Sequence, residues 1–477
     1  MKPNYRITLL LVVSLLAGNL HLSAQHSIAA TLREAADGSQ RATLVTASEE
    51  SLPTVIPIVA QPTAPQSVDS LAGRADLLVP ADTLLVTEES PVVDSARIDV
   101  PSVAALESYA EGIVLGDERM SDYLPLLHGR RVGVLTNHTG VVGENHLVDT
   151  LISCGVNVTT IFAPEHGFRG NHSAGEVVPS SRDAYTGVEI VSLYGARRTP
   201  SANDVFRNDV IVVDIQDVGL RYYTYLSTMY LMMQTCAEVG VPMIVLDRPN
   251  PNGMYVDGPI VETQYRSFVG MLPIPIVHGM TLGELARMIN GEGWLEGGRR
   301  CDLTVVTCLN YRRSMRYRLP IAPSPNLPNM QAIYLYPSLC YFEGTSVSVG
   351  RGTECPFQIY GHPDFKNGDV EFTPRQKSGA RSPLHEGRVC RGWDLRGVEA
   401  DSLIAEGIDL RYLVEAYNEL GLGNDFFVSN FFEKLVGVGY VREMILAGFS
   451  AEQIEAAWKP EVERFKQQRK PYLIYED

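Results

Sequence analysis

Aromatic residues are almost absent from the first hundred positions of the sequence. The chain has 3 Trp, 22 Tyr and 14 Phe, yet only Tyr5 precedes Tyr109. A packed core is normally built around such side chains, so these positions are not expected to belong to a globular domain. We therefore place the working fold in residues 106–477.

Clustered positive charge is also missing. The 40 Lys and Arg residues are outnumbered by 56 Asp and Glu residues, which gives a net charge of −16. Nucleic acids select proteins with clustered basic surfaces, so we exclude a nucleic-acid partner.

Cysteines are few, and their spacing matches no known framework. The seven cysteines include no C-x-x-C pair, which argues against a disulfide scaffold and against a structural zinc site. Cys301 and Cys308 flank a predicted strand. Because seven extended residues span about 23 Å, these two cysteines are not expected to pair.

The first 24 residues have the layout of a secretory signal peptide. Lys2 and Arg6 precede an apolar run over 7–17, and a small residue, Ala24, marks the cleavage site. A membrane anchor is the weaker interpretation, because about 20 apolar residues are needed to span a bilayer. No cysteine precedes Cys154, so the mature N-terminus has no site for a lipid. We predict export to the periplasm or the medium, with no membrane span in the mature chain.

Residues 25–105 are predicted to form a disordered acidic tether. The segment 26–105 contains eleven acidic residues and four arginines, which give it a net charge of −7. It also contains seven prolines among Ser, Thr, Ala and Val. This composition sustains neither a helical nor a strand period. The alternative is a tail that docks a partner through its apolar patches at 55–59 and 84–86.

Beyond Arg131, short β-branched runs alternate with helical stretches, which predicts an α/β fold with a largely parallel sheet. The predicted strands are 132–135, 156–162, 188–193, 210–215, 242–246 and 303–306. Helices are predicted over 147–152, over 223–239 and after a capping box that begins at Thr281.

The composition of the sequence changes near residue 335. A stretch rich in Gly, Ser and Thr follows over 343–353. We predict a catalytic domain over 106–335 and a smaller α+β domain over 336–477 that completes the cleft. Three helices are predicted in this second domain, over 409–420, 433–447 and 450–468.

The motifs of several common enzyme classes are missing. The first strand-to-helix turn, 136–143, lacks G-x-G-x-x-G, and the chain has no Walker A sequence, H-E-x-x-H helix or G-x-S-x-G elbow. The sequence therefore does not support nicotinamide chemistry, NTP hydrolysis, zinc proteolysis or serine esterase chemistry. We expect neither a cofactor nor a metal.

Polar residues follow five of the predicted strands. Since ligands of an open parallel sheet bind at the carboxyl ends of its strands, these residues are expected to share one pocket. They include Asn137, Glu165, His166, Arg169, Tyr194, Gln216, Asp217, Arg221, Tyr223, Arg248 and Asn250. Carboxylates, amides, arginines and aromatic rings without an activated Ser or Cys suit a sugar best.

Cleavage of a glycoside requires a carboxylic acid that protonates the leaving oxygen. Glu165 is the candidate, because Pro164 and Gly167 fix its turn and Phe162 and Phe168 could keep its carboxyl partly dry. The alternative is a surface glutamate beside a helix N-terminus.

Seven ordered blocks resemble the motifs of the exo-β-N-acetylmuramidase family of NamZ type, from about Tyr109 to the end of the chain. The blocks lie at 164–170, 214–219, 246–251, 278–281, 323–326, 342–345 and 350–353, and the closing segment 468–475 is similar as well. The resemblance implies a Rossmann-like domain, a smaller C-terminal domain and a cleft between them. It also implies release of N-acetylmuramic acid from the non-reducing end of β-1,4-linked peptidoglycan fragments, with Glu165 as the catalytic acid.

The partner implied by the resemblance is a muramyl saccharide, whose lactyl ether carries a carboxylate. An arginine that forms two hydrogen bonds is best suited to bind this carboxylate. The candidates are Arg169, Arg221, Arg248 and Arg351. Arg221 and Arg248 could equally pair with Asp217 and Asp247. Asn326, Glu343 and Arg351 complete the predicted substrate-binding residues.

The second catalytic group is open at this point. Asp217, Glu262 and Glu343 are candidates, and participation of the substrate's own acetamido group would leave Glu165 as the only acid. His166 could bond the sugar, bond Glu165 or be structural, whereas His278 is expected to be structural. The rival functions are a non-catalytic peptidoglycan-fragment binding protein and an exo-N-acetylglucosaminidase. The oligomeric state is left open.

Overall fold

The β-branched runs of the sequence form a central sheet. In the computed structural model, residues 109–169, 181–195 and 197–477 are described, so the predicted signal peptide and tether lie outside the described residues. The described strands are β1 (Arg131–Thr136), β2 (Val141–Val142), β3 (Asn145–His146), β4 (Asn157–Ala163), β5 (Ser181–Arg182), β6 (Glu189–Ser192), β7 (Val210–Asp214), β8 (Met243–Leu246), β9 (Leu303–Val306), β10 (Ile359–His362), β11 (Val370–Phe372) and β12 (Cys390–Asp394). All six predicted strands are present.

The central sheet has the order β5-β6-β4-β1-β7-β8-β9. Every neighbouring pair is parallel except β5 with β6, which is antiparallel. The parallel strands run outward from β1 to β6 on one side and from β7 to β9 on the other, which is the order of a Rossmann fold. The predicted fold class is therefore confirmed. The strand order reverses between β1 and β7, and ligands of such sheets bind outside the carboxyl ends at this point.

Alternate residues of the strands pack on opposite faces of this sheet. Val210 and Val212 of β7 belong to the core that includes α1 and α2, whereas Ile211 and Val213 face the second, larger core. The helices are α1 (Met120–Leu127), α2 (Leu147–Ser153), α3 (Ala202–Phe206), α4 (Tyr225–Val239), α5 (Leu282–Gly291), α6 (Met330–Leu339), α7 (Ala400–Glu406), α8 (Arg411–Leu420), α9 (Phe431–Val436), α10 (Tyr440–Leu446) and α11 (Ala451–Arg469). The period of two thus builds a sheet covered on both faces.

Local signals set the ends of several helices. Helix α4 ends at Gly240 in the left-handed conformation, and capping boxes at Thr281 and Ser450 begin α5 and α11, as predicted. The prediction of one helix over 433–447 is wrong. Gly437, with a φ of 92°, separates α9 from α10, and its conformation interrupts the helical run.

The C-terminal part of the chain adds a three-stranded antiparallel sheet, β10-β12-β11, and five helices among the described residues. Its large buried side chains, such as Trp458 and Phe465, belong to the same core as α4 and α5. The described residues fall within one compact unit. The boundary predicted at residue 335 lies inside α6, and the division into two domains stays a prediction.

The structure also bears on the cysteines and on a possible membrane span. All seven cysteines are free, and Cys301 and Cys308 flank β9 as predicted. Within the described ranges, no helix combines the length and the apolar character required to cross a bilayer.

Candidate active site

Glu165 lies in a tight turn directly after β4. Gly167 donates its backbone N–H to the carbonyl of Pro164 at 3.0 Å, and His166 and Gly167 both have a positive φ, of 69° and 75°. A histidine is one of the few residues with a side chain that enters this region readily. The imidazole Nε2 of His166 lies 3.2 Å from the hydroxyl of Ser324, which secures the turn from outside.

Thr224, at the start of α4, holds the carboxyl group of Glu165. Its hydroxyl donates a hydrogen bond of 2.7 Å to Oε2 of Glu165. Thr224 is the N-cap residue of α4, so it is fixed by a helix start rather than by a mobile loop. The sequence pattern does not indicate Thr224, although it is adjacent to Tyr223, a predicted site residue.

A cavity of about 360 Å³, including its open mouth, surrounds Glu165. The lining residues come from the turn after β4, from the segment before α4, from the segment before α6, from α6 and from the segment between α6 and β10. They are Glu165, His166, Tyr222, Tyr223, Thr224, Ser324, Asn326, Leu327, Tyr336, Arg351 and Phe357. The structure therefore brings five predicted site residues together: Glu165, His166, Tyr223, Asn326 and Arg351.

Aromatic side chains form one wall of this cavity. The hydroxyl of Tyr223 donates to the carbonyl of Pro323 at 2.9 Å, and that of Tyr222 donates to the carbonyl of Tyr336 at 2.9 Å. The rings of Tyr336 and Phe357 meet edge to face at 4.7 Å between centroids. Burial raises the pKa of the Tyr222 and Tyr223 hydroxyls, so both stay neutral donors. Fixed rings of this kind can pack against the faces of a pyranose.

The predicted dry environment from Phe162 and Phe168 is not what the structure shows. Phe162 is buried in the core beneath the sheet, and Phe168 packs edge to face on His146 at 4.6 Å. Neither lines the cavity. The apolar wall around Glu165 comes from later parts of the chain, which sequence proximity cannot indicate.

Arg351 is the only arginine that lines the cavity within the described ranges. Its Nη2 is 2.7 Å from Oε1 of Glu343, and its guanidinium carbon lies 5.1 Å from the ring centroid of Phe357. Glu343 also accepts a weak hydrogen bond from the thiol of Cys340 at 3.7 Å. Glu343 thus holds Arg351 without lining the cavity itself.

Arg248 lies in a buried ion cluster instead. Its Nε is 2.6 Å from Oδ1 of Asp214, and its Nη2 is 2.5 Å from Oδ2 of Asp117. The structural alternative therefore holds for Arg248, but with other partners than Asp247, whose carboxylate accepts from the hydroxyls of Thr281 and Tyr475, each at 2.7 Å. Burial and the nearby Asp214 raise the pKa of Asp117 to about 8.

Arg221 is likewise structural, but its partners are backbone carbonyls. It donates at 2.6 to 3.1 Å to the carbonyls of Pro259, Ile274, Leu435 and Val436. Burial lowers its pKa to about 10. The expected partner, Asp217, is not among these acceptors, so Arg221 joins α9 to the first half of the chain.

Arg169 and Tyr194 lie outside the cavity. The guanidinium of Arg169 contacts Asp183 at 3.1 Å and Asp149 at 3.5 Å. The ring of Tyr194 lies 6.2 Å from that of Phe268, near the end of β6.

Amides at the sheet's switch point bond to the backbone of the surrounding loops. Asn137 accepts from the backbone and hydroxyl of Thr139, and Gln216 donates to the carbonyls of Asp217 and Pro249. Asn250 donates to the carbonyl of Met280 at 2.9 Å. These residues shape the loops rather than line the cavity of Glu165.

Asp217 belongs to the same buried layer. Its Oδ1 accepts from the backbone of Gly219 at 2.7 Å, and its Oδ2 has no hydrogen-bond partner within the described ranges. Burial raises the pKa of Asp217 to about 7. Gly219 has a φ of 81°, and a Cβ there would lie 2.0 Å from Oδ1 of Asn250, so only glycine fits.

Glu262, His278 and Asn326 each form hydrogen bonds of their own. Glu262 is exposed and accepts from the amide of Gln264 at 2.9 Å. His278 is buried, accepts from the backbone of Met280 at 3.2 Å, and has its pKa lowered to about 3 by burial. Asn326 donates to the carbonyl of Gly379 at 2.9 Å.

Comparison with known proteins gives a consistent result. Residues 132–331 match the model of the N-terminal part of exo-β-N-acetylmuramidase NamZ, and residues 334–475 match that of its C-terminal part. The peptidoglycan β-N-acetylmuramidase NamZ of Bacillus subtilis (strain 168) is 38% identical over 377 residues, which cover 75% of this chain and 90% of that protein.

Two crystal structures of DUF1343 family proteins from Bacteroides fragilis NCTC 9343 share the fold. One is 52% identical with a TM-score of 0.72 and covers 77% of this chain and 99% of its own. The other is 29% identical with a TM-score of 0.67 and covers 76% and 99%. The chain belongs to the exo-β-N-acetylmuramidase NamZ family.

Proposed function

We propose that this protein is an exo-acting glycoside hydrolase that releases N-acetylmuramic acid from the non-reducing end of β-1,4-linked peptidoglycan fragments. The observation that carries the proposal is the position of Glu165. Its carboxyl group lies at the end of β4, is held by Thr224, and faces a cavity lined by aromatic rings and one arginine.

In the proposed reaction, Glu165 donates its proton to the glycosidic oxygen as the bond from that oxygen to the anomeric carbon breaks. Tyr222, Tyr223, Tyr336 and Phe357 pack against the muramyl ring and exclude water. The hydroxyl of Thr224 fixes the direction of the carboxyl group, since positioning of the acid contributes directly to the rate.

Glu165 is the only carboxylate that lines the cavity among residues 109–169, 181–195 and 197–477. This supports attack on the anomeric carbon by the carbonyl oxygen of the substrate's own acetamido group. The leaving sugar departs with the proton from Glu165, and an oxazolinium ion remains. Water then opens this ion at the anomeric carbon and gives its proton to the Glu165 carboxylate, which regenerates the acid. The proposed course retains the anomeric configuration, and proton NMR of the first product tests it.

The experiment that tests the proposed function compares two aryl glycosides, one of N-acetylmuramic acid and one of N-acetylglucosamine. We expect release of the chromophore from the muramyl glycoside and, when the aryl group is a phenol that needs protonation to leave, its loss in Glu165→Gln. The control is Glu371→Gln, which removes an exposed carboxylate that pairs with Arg391 on β11 and β12. Preference for the glucosaminyl compound would indicate an N-acetylglucosaminidase, and turnover of neither would indicate a binding protein.

Export of the protein is a second part of the proposal. Lys2, Arg6, the apolar run over 7–17 and Ala24 support cleavage before Gln25. Mass spectrometry of the protein from its own host is expected to find a mature chain that begins at Gln25 outside the cytoplasm. An intact chain that begins at Met1 and fractionates with the cytoplasm would contradict export.

A further inference from the structure

The proposed hydrolysis does not itself require the cation that lines the cavity, Arg351. Protonation of the glycosidic oxygen needs Glu165, but N-acetylmuramic acid differs from N-acetylglucosamine by a lactyl ether that ends in a carboxylate. Discrimination between the two sugars therefore requires a group that recognises this anion. The overall charge of −16 makes the rest of the protein a poor environment for it.

Three of the four candidate arginines already bind other groups. Arg248 is neutralised by two buried carboxylates, and Arg221 is enclosed by backbone carbonyls. Arg169 pairs with Asp183 and Asp149 outside the cavity. None of them can turn to a ligand beside Glu165 without leaving a buried acceptor unpaired, which is costly.

Arg351 differs in each of these respects. It lines the same cavity as Glu165, and a quarter of its side chain, 25%, is exposed. Glu343 contacts Nη2, and Nε is buried and has no hydrogen-bond partner within the described ranges. A guanidinium has five N–H donors in a fixed plane, so a second carboxylate can be bound while Glu343 stays in place.

The surroundings of Arg351 keep its guanidinium in one orientation. The ring of Phe357 lies beneath it at 5.1 Å, and that ring is fixed in turn by Tyr336 at 4.7 Å. A preorganised cation in a partly dry cavity loses little entropy when it binds an anion. Glu343 has the opposite effect on a ligand, because its negative charge repels a second carboxylate.

We infer that Arg351 is the specificity residue that binds the lactyl carboxylate of the muramyl ring. Arg351 then binds two carboxylates at once, that of the substrate and that of Glu343. The inference rests on the proposed function, whose site it deepens. It makes two predictions of opposite sign. Removal of the bidentate donor weakens binding of the anionic sugar, and removal of the charge on Glu343 strengthens it.

The test is calorimetric binding of free N-acetylmuramic acid and of its uncharged lactyl methyl ester to the full chain. Arg351→Lys is expected to weaken binding of the acid by about tenfold to a hundredfold, the range for loss of hydrogen bonds between charged groups, and to leave the ester unchanged. Glu343→Gln is expected to tighten binding of the acid by about threefold.

The matched control is Arg442→Lys. Arg442 pairs with Glu433 at 2.8 Å and lies 5.0 Å from the ring of Phe427, and 23% of its side chain is exposed, yet it is outside the cavity. It is expected to bind both sugars as the wild type does. Equal effects of Arg351→Lys on acid and ester, or no effect on either, would overturn the inference, as would a wild type that binds both sugars equally.

Hydrolysis is measured separately, so the two proposals can fail independently. If wild type cleaves the muramyl glycoside but Arg351→Lys retains the preference for the acid, only the role of Arg351 is wrong. If wild type cleaves neither glycoside but still prefers the acid through Arg351, only the hydrolase proposal is wrong.

Discussion

The hydroxyl of Thr224 donates a hydrogen bond of 2.7 Å to Oε2 of Glu165 and thereby joins the start of α4 to the end of β4. Fifty-nine residues separate the two in sequence. The bond fixes the carboxyl group relative to the aromatic wall, because Tyr222 and Tyr223 immediately precede Thr224 in the same segment.

Loss of this bond is expected to slow catalysis. Thr224→Val keeps the shape of the side chain but removes the donor, and we expect kcat to fall by about tenfold, the value of one hydrogen bond to a charged group, with little change in KM. Thr224→Ser keeps the donor and is expected to restore most of the rate. Steady-state kinetics on the muramyl aryl glycoside measures both. A loss in Thr224→Ser with a wild-type rate in Thr224→Val would assign the effect to packing of the methyl group instead.

Arg248 is expected to act on stability rather than on recognition. Arg248→Met leaves Asp214 and Asp117 buried without their counter-ion, and removal of one partner from a buried pair costs about 3–5 kcal/mol of unfolding free energy. Arg131→Met, which breaks an exposed pair with Asp209, is expected to cost far less unfolding free energy. Denaturant unfolding compares them. A stable Arg248→Met protein with a raised KM for the muramyl substrate would instead indicate that Arg248 binds the lactyl carboxylate.

Asp217 is expected to make stability depend on pH. Because burial raises its pKa from 3.8 to about 7, the folded state holds a proton that the unfolded state releases above pH 4. The stabilisation is complete below pH 4 and is lost as pH rises to 7, at about 1.4 kcal/mol per pH unit. Asp217→Asn lacks this loss, so its stability relative to wild type is expected to rise from pH 5 to pH 7 and to level off above pH 7. Unfolding midpoints that keep a constant difference over this range would contradict the buried environment of Asp217.

The same variant separates two roles for this residue. Since Asp217 lies outside the cavity of Glu165, Asp217→Asn is expected to retain kcat within about tenfold, less than the loss of a general acid causes. A loss of about a thousandfold with an intact fold would make Asp217 the second catalytic carboxylate.

Much of the sheet follows from local patterns. The run over 303–306 becomes β9 with the same bounds, since four β-branched or apolar residues between polar segments leave little choice. Helix α6 was not foreseen, because Met330 and 332–339 are buried all round and Pro337 lies inside it. A helix without a polar face has no amphipathic period to detect.

The site was foreseen in part. Glu165, Tyr223 and Asn326 lie in short motifs whose glycines and prolines indicate fixed loops, and all three line the cavity. The assignment of the arginines could not be made from sequence, because Asp117 is 131 residues from Arg248 and Leu435 is 214 residues from Arg221. Only the tertiary structure shows which charges are already neutralised.

The central claim, that Glu165 is the general acid, is tested most directly by the dependence of its variant on the leaving group. A 2,4-dinitrophenolate leaves without protonation, whereas N-acetylglucosamine does not. Glu165→Gln is expected to cleave the muramyl disaccharide about a thousandfold more slowly than wild type, yet to retain the first bond cleavage of the dinitrophenyl muramyl glycoside within about tenfold. An equal loss on both substrates, or no loss on the disaccharide, would contradict the assignment.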